Sequence, residues 1–171
     1  ANQPFEQDGL VLCYNGELYN YLELRHELEG LGHAFATQSD TEVLLHGYRE
    51  WGAGCLDKFE GMWAFALLDT ANATLVLSRD RFGEKPLFTW KRGQSLYFAS
   101  EVKALAALSG EKPAVNTDQV LRYLVNGYKC LHKQPRTFFD DIREFPAASV
   151  AEVPLGSAEA GEPKPELYWS L

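Results

Sequence analysis

Residues 61–69 read GMWAFALLD, and this stretch decides the architecture. Met62 to Leu68 is apolar at every position, whereas a strand with one wet face would alternate. Both faces of the strand must therefore be covered. The faces differ in bulk. Trp63, Phe65 and Leu67 are large, while Met62, Ala64, Ala66 and Leu68 include two alanines, so another layer can pack close on that side. A sheet lying on a second sheet, with helices outside, meets both needs and places the chain in the α+β class.

Working outward, Thr74 to Ser78 reads as the next strand, after a turn over residues 69–73. Leu87 to Trp90 and Ser95 to Ala99 form a pair joined by residues 91–94. Loops this short predict an antiparallel meander. Helices are expected at Val102 to Leu108 and Asp118 to Asn126. Phe138 to Pro146 and Ser149 to Val153 read as a final strand pair. Residues 154–166 are rich in Pro, Gly, Ala and Glu without periodicity and read as a loop or linker.

Upstream, Leu10 to Tyr14 has the length of a buried strand. Leu18, Tyr21, Leu22, Leu24 and Leu28 then fall near helical spacing, and Gly30 and Gly32 stop the run. Asn20 and Glu23 read as a capping box. Ala34 to Thr37 reads as a short strand. Ser39-Asp40-Thr41-Glu42 is a second capping box, opening a helix on Leu44, Leu45, Tyr48 and Trp51. The Asn15-Gly16 dipeptide, ordinarily a hairpin signal, thus stands between a strand and a helix.

The chain has 171 residues and a formal net charge of −8. That size suits one domain. The acidic balance argues against a nucleic-acid or anionic-membrane surface. No apolar run approaches the roughly 18 residues of a membrane helix, and nothing reads as a signal peptide. A cytoplasmic protein is expected. Cys13, Cys55 and Cys130 lie far apart, and neither they nor His26, His33, His46 and His132 show metal-ligand spacing. No metal is expected. Cys13, inside an apolar run, is expected to pack as a core residue. The histidines show no acid partner at catalytic spacing.

Three stretches could carry chemistry. A glycine at a strand end, as at Gly16, lets another group approach the backbone. Its N–H and the Asn15 carboxamide are two neutral donors that could hold an oxyanion. On local sequence alone, turn chemistry is the commoner use of such a pair. Asp40 is either a helix cap or a carboxylate at a pocket rim, able to bind an ammonium group. The run Ser78-Arg79-Asp80-Arg81-Phe82-Gly83-Glu84-Lys85-Pro86 is either a solvated loop or a fixed ion-pair network under the strand ends.

Taken in order, YNGELYNY, SDTEVLLHGYREWG, FEGMWAFALLD, SRDRFGEKPLF and FASEVKAL resemble the glutaminase domain of glutamine-dependent asparagine synthetases. Five motifs in sequence are far more specific than any one alone. The resemblance extends over roughly residues 3 to 108, and the remainder resembles the segment leading toward that family's second domain. It implies an N-terminal-nucleophile hydrolase fold, two stacked antiparallel sheets between helical layers. It also implies that an N-terminal Cys attacks the side-chain amide of glutamine, its own α-amino group acting as base. Ammonia then passes to an ATP-dependent domain that activates aspartate. By motif, Asn15 and Gly16 match the oxyanion-hole pair. Glu17 and Asp40 match residues that hold glutamine, Asp40 through the α-ammonium.

Against that family, Ala1 stands where sequence well downstream of the catalytic Cys would lie, and Leu171 precedes any pyrophosphate loop. The expectation is a fold incomplete at its N-terminus: a partial amidotransferase domain over 1–153 and, over 154–171, a linker toward an absent synthetase domain. This chain alone is then expected to be inactive and to hold no cofactor, ATP and Mg being needed only in the synthetase domain. Its partners would be glutamine and that synthetase domain. An exposed sheet edge could also drive homodimerisation. Two other readings stay open: a non-catalytic domain that binds a ligand or partner, and an amidotransferase with a different acceptor.

Overall fold

The computed structural model describes residues 2–127, 136–156 and 161–170. The strand that decides the architecture, β3 (Gly61–Asp69), lies inside a six-stranded antiparallel sheet. Its neighbours are β1 (Phe5–Gln7), β2 (Leu10–Leu18), β4 (Thr74–Arg79), β8 (Ser149–Pro154) and β9 (Glu166–Leu167), in the order β1-β2-β3-β4-β8-β9. A second sheet has the order β6-β5-β7, from β5 (Phe88–Arg92), β6 (Ser95–Ala99) and β7 (Ile142–Glu144).

The two faces of β3 do what their side chains dictate. Trp63, Phe65 and Leu67 join Leu12, Leu18, Leu24, Leu28, Leu44 and Leu45 in a core beneath α1 (Tyr21–Gly30) and α2 (Asp40–Trp51). Each fully buried side chain of this size contributes about 1.5–3 kcal/mol. Ala64 and Ala66 face the other way, into a core with Leu77, Leu87, Phe145 and Ala151 against Leu96 and Phe98 of the second sheet. A third cluster, Trp90, Leu105 and Ile142, lies under α4 (Val102–Ser109). The order is helices, sheet, sheet, helix. The short α3 (Cys55–Lys58) and the amphipathic α5 (Thr117–Asn126) complete the elements.

Several local expectations are corrected. The meander does not continue from β4 to β5, because the chain changes sheets there. The final strand pair is likewise split: β7 pairs with β5 and β8 with β4. No strand forms at 34–37. The amides of Ala36 and Thr37 donate to the Glu42 carboxylate at 2.8 and 2.7 Å, which leaves them no part in a ladder. Ser39 caps α2 through Thr41 N, but Asn20 does not cap α1. Its carboxamide instead clamps the segment before β3, donating to Lys58 O and accepting from Glu60 N.

The hairpin turn is Asp8-Gly9, both at positive φ (50° and 83°), between β1 and β2. Asn15-Gly16 lies inside β2, not at a turn between strand and helix. The far end of the 154–171 segment is tied into the sandwich. Glu166 and Leu167 pair with β8. Tyr168 stacks on Trp63 with ring centroids 6.1 Å apart and donates its hydroxyl to Arg79 O.

Candidate functional site

The site is built on the outer edge of β2. On its inner side β2 pairs with β3 along its whole length. On its outer side β1 covers it only as far as Leu12. At the next outward-facing residue the Gln3 side chain takes over. Its oxygen accepts Tyr14 N–H at 2.6 Å and its nitrogen donates to Tyr14 O at 2.7 Å, the exchange a paired strand residue would make. Farther along the same edge, Leu18 N–H donates to Asp40 Oδ2 at 3.1 Å.

Alternation along an antiparallel strand puts the N–H and C=O of Gly16 on this edge, between those two clamps. The opposite strand agrees. Trp63, across from Gly16, turns its own N–H and C=O toward the far side, to Asp80 Oδ2 and Asp80 N. Gly16 and Trp63 are thus a non-bonded pair at close approach. A Cβ on Gly16 would collide with the Met62 carbonyl oxygen and lie 2.8 Å from Trp63 Cα. Glycine is required by this crowding.

The side chains of β2 point to two faces. Tyr14 turns to the helical side and donates its hydroxyl to Asp40 Oδ2 at 3.0 Å. Burial first, and then the Asp40 carboxylate, push the phenol far above its usual range, so it stays a donor. Asp40 is the first residue of α2, where the helix dipole favours a carboxylate. Its Oδ2 takes both bonds just described. Its Oδ1 faces only the Ser39 hydroxyl, at 3.4 Å, among the described residues.

On the other face, Cys13 and Asn15 line a cleft of about 390 Å³ with Ala64, Ala66, Phe98 and Ser100. Asn15 Nδ2 donates to Ser100 Oγ at 3.2 Å and keeps a second hydrogen and its carbonyl oxygen. Glu17, on the same face, is exposed. The structure therefore gathers Asn15, Gly16 and Asp40 around one strand edge. It does not put them in one cavity: Asn15 lines the cleft, whereas Asp40 approaches the edge from the helical side.

Cys13 is exposed rather than a core residue. Three strands lie against six, and the inner face of β2 is left partly uncovered. Partial burial still pushes its thiol up. Cys55 is buried, and burial pushes its thiol up to about 12. Cys130 lies outside the described residues.

The arrangement offers two neutral donors on adjacent residues and one carboxylate along the same edge. Such donors can hold an oxygen that gains negative charge, and Oδ1 of Asp40, which takes only the long Ser39 bond among the described residues, can accept from a cation.

Two functional-looking clusters escaped the sequence reading in part or whole. The Arg79–Pro86 stretch is a fixed network. Asp80, fully buried, accepts from Trp63 N, Phe82 N, Glu84 N and Lys85 N at 3.0–3.2 Å. Arg79 donates to Lys85 O, Gly83 O, Phe145 O and Glu144. The histidines show no acid at catalytic spacing along the chain, yet in the fold His33 and His46 come together and His33 meets an acid. His33 Nε2 meets Glu50 at 2.8 Å and its Nδ1 meets His46 Nδ1 at 2.9 Å. Their separation along the chain hid them; a helical stripe of Glu42, His46 and Glu50 was the one signal available.

Comparison with known proteins gives the same answer along the whole chain. A family model described as a glutamine amidotransferase domain matches residues 1–169. The chain is 38% identical over 175 aligned residues to asparagine synthetase [glutamine-hydrolyzing] 2 of Bacillus subtilis, covering 100% of this chain and 23% of that protein. It is 48% identical over 103 residues to asparagine synthetase [glutamine-hydrolyzing] 3 of the same organism, covering 60% of this chain and 17% of that one. The chain thus spans about a fifth of the length of these relatives. Among solved structures, the glutamine phosphoribosylpyrophosphate amidotransferase of B. subtilis, complexed with ADP and GMP, shares the fold. Its TM-score is 0.65 at 21% identity, over 98% of this chain and 32% of that one.

Proposed function

The chain belongs to the glutamine amidotransferase domain family, and from that premise we propose that it is the glutamine-binding part of an asparagine synthetase. In this reading the side-chain carbonyl of glutamine lies at the open edge of β2. A Cys thiolate at the N-terminus of the parent protein attacks the carbonyl carbon, and the C=O pair becomes an oxyanion. Gly16 N–H and the free Nδ2 hydrogen of Asn15 hold that oxygen. The tetrahedral adduct collapses, the nitrogen takes the proton that the α-amino group of that Cys had removed from the thiol and leaves as ammonia, and a thioester remains. Water hydrolyses the thioester to glutamate and regenerates the thiol. Asp40 Oδ1 holds the α-ammonium of glutamine, and Glu17 stands at the end of the same strand.

The observation that supports this reading is the place of Gly16 on the β2 edge, its N–H without a partner among the described residues and flanked by the Gln3 and Asp40 bonds. Cys13 is not assigned the attack, because its thiol is pushed up. Aspartate as acceptor is taken from the curated relatives, both named asparagine synthetases. ATP and Mg belong, in this proposal, to the remaining portion of such a synthetase. Among the described residues no three of His, Cys, Asp and Glu are placed to hold a metal ion.

Heteronuclear NMR of the chain with added glutamine tests the site directly. The Gly16 amide and the Asn15 carboxamide should shift together; a response at neither overturns the proposal. In a synthetase carrying this chain, Asn15→Ala should lower glutaminase kcat by about 10²–10³, whereas Asp40→Asn should act mainly on KM. Undiminished kcat in the first variant would remove the oxyanion role.

A further inference from the structure

On the outer edge of β2 a side chain makes the bonds that a paired strand residue would make. β1 stops pairing at Phe5 opposite Leu12. Two residues on, the bonds to Tyr14 come from the Gln3 carboxamide, at 2.6 and 2.7 Å. A carboxamide carries one donor and one acceptor in the same plane, as a peptide group does. It is therefore the side chain best suited to continue a ladder. After it, no strand among the described residues pairs with this edge.

Gly16 has no side chain to hold it, and its peptide does not exchange bonds with β3. What aims its N–H is the pleat of the strand, fixed on either side at Tyr14 and Leu18. The Leu18 clamp is Asp40, which also holds the Tyr14 hydroxyl. The Tyr14 backbone clamp is Gln3. We infer that Gln3, which lines the cleft beside Asn15, is a positioning residue for the oxyanion donor: it aims the Gly16 N–H by pairing with Tyr14. The inference rests on the glutaminase reading for its consequence in turnover, and on the geometry alone for its consequence in the strand.

Two variants separate a positioning role from a merely structural one. Gln3→Met removes both bonds. Gln3→Glu keeps the acceptor for Tyr14 N–H but, when ionised, sets a carboxylate against Tyr14 O. Protonation restores an O–H donor there. In the isolated chain, both variants at neutral pH should shift the Gly16 amide resonance and speed its hydrogen exchange. In Gln3→Glu the difference from the parent chain should close as pH falls through the ordinary glutamic acid range, near about 4.3; in Gln3→Met it should not. A Gly16 amide unmoved in both variants overturns the inference, as does a pH response common to both.

In a glutamine-hydrolysing synthetase carrying the chain, Gln3→Met should lower kcat by about tenfold or more with KM within about twofold, because the donor acts in the transition state. A raised KM with unchanged kcat overturns the inference. A Gly16 amide that follows Gln3 but never responds to glutamine would sink the glutaminase reading instead, leaving Gln3 as scaffold only.

Discussion

Gly16 shows how one residue can be legible for the wrong reason. Its dipeptide partner Asn15 suggests a turn, yet the true hairpin turn is Asp8-Gly9. Glycine is needed at 16 because Met62 O and Trp63 Cα leave no room for a Cβ, and a contact with another strand is invisible in a local window. Gly16→Ala should therefore force β2 and β3 apart, costing about 1–3 kcal/mol as an overpacking change, measured by urea unfolding; a loss below about 0.5 kcal/mol would contradict the crowding. His46 carries a second prediction. Burial first, and the adjacent His33 second, hold its pKa below the usual value, with Arg49 adding to them and Glu42 and Asp8 opposing. Glu50 stands on the far side of His33. The unfolded chain then takes up a proton near about pH 6.5 that the folded chain resists. Stability contributed by neutral His46 is present above that pH and is lost as pH falls below it. Thermal unfolding between pH 7.5 and 5.5 should show the loss, and His46→Gln should flatten it.

At the scale of elements, the loop between β4 and β5 decides which sheet each strand joins. The sequence offers alternating charges beside an apolar strand, which fits solvation as well as a network. The structure resolves this through Asp80, whose carboxylate replaces the ladder that the chain abandons on leaving β4. Four backbone N–H groups converge on it, one from β3 and three from the loop. Hydrogen bonds to a charged acceptor contribute about 1.5–3 kcal/mol each, and a buried donor left unpaired costs about 1–3 kcal/mol. Asp80→Ala should accordingly destabilise by more than about 4 kcal/mol, or prevent folding. Asp80→Asn keeps one acceptor oxygen and should lie between the variant and the parent, a ranking readable in denaturant midpoints. Equal midpoints for all three proteins would show that the loop is held by Arg79 alone. The apolar strands and main helices were legible because their periodicity is local. The sheet switch was not, since it depends on contacts such as Arg79 with Phe145 that span the chain.

At the scale of the molecule, one strand's composition demanded cover on both its faces, and the helices on one side and the second sheet on the other supply it. Pattern alone cannot say how the chain closes over the large face of β3. Residues 154–166 have no periodicity, so the reading of a linker runs on past them to the end of the chain. The last few residues instead return to the sheet, where Tyr168 stacks on fully buried Trp63 and donates to Arg79 O. Burial pushes the Tyr168 phenol up, in keeping with a hydroxyl held as a donor in the sandwich. Trp63 itself spans the site's strand pair, opposite Gly16 and bonded through Nε1 to Ser78. Removing the Tyr168 ring would therefore open the core next to the very strand that positions the candidate donor. Tyr168→Ala should cost about 1–3 kcal/mol, below the full range for a buried aromatic because the ring is only partly covered. For a chain of this size that corresponds to a fall in Tm of about 2–12 °C. Tyr168→Phe keeps the stack and loses one hydrogen bond, so it should recover most of the loss. Tryptophan fluorescence gives an independent readout, with Trp63 shifting to the red in the alanine variant only. An unchanged Tm and emission maximum in Tyr168→Ala would mean that the chain's last residues do not belong to the folded unit.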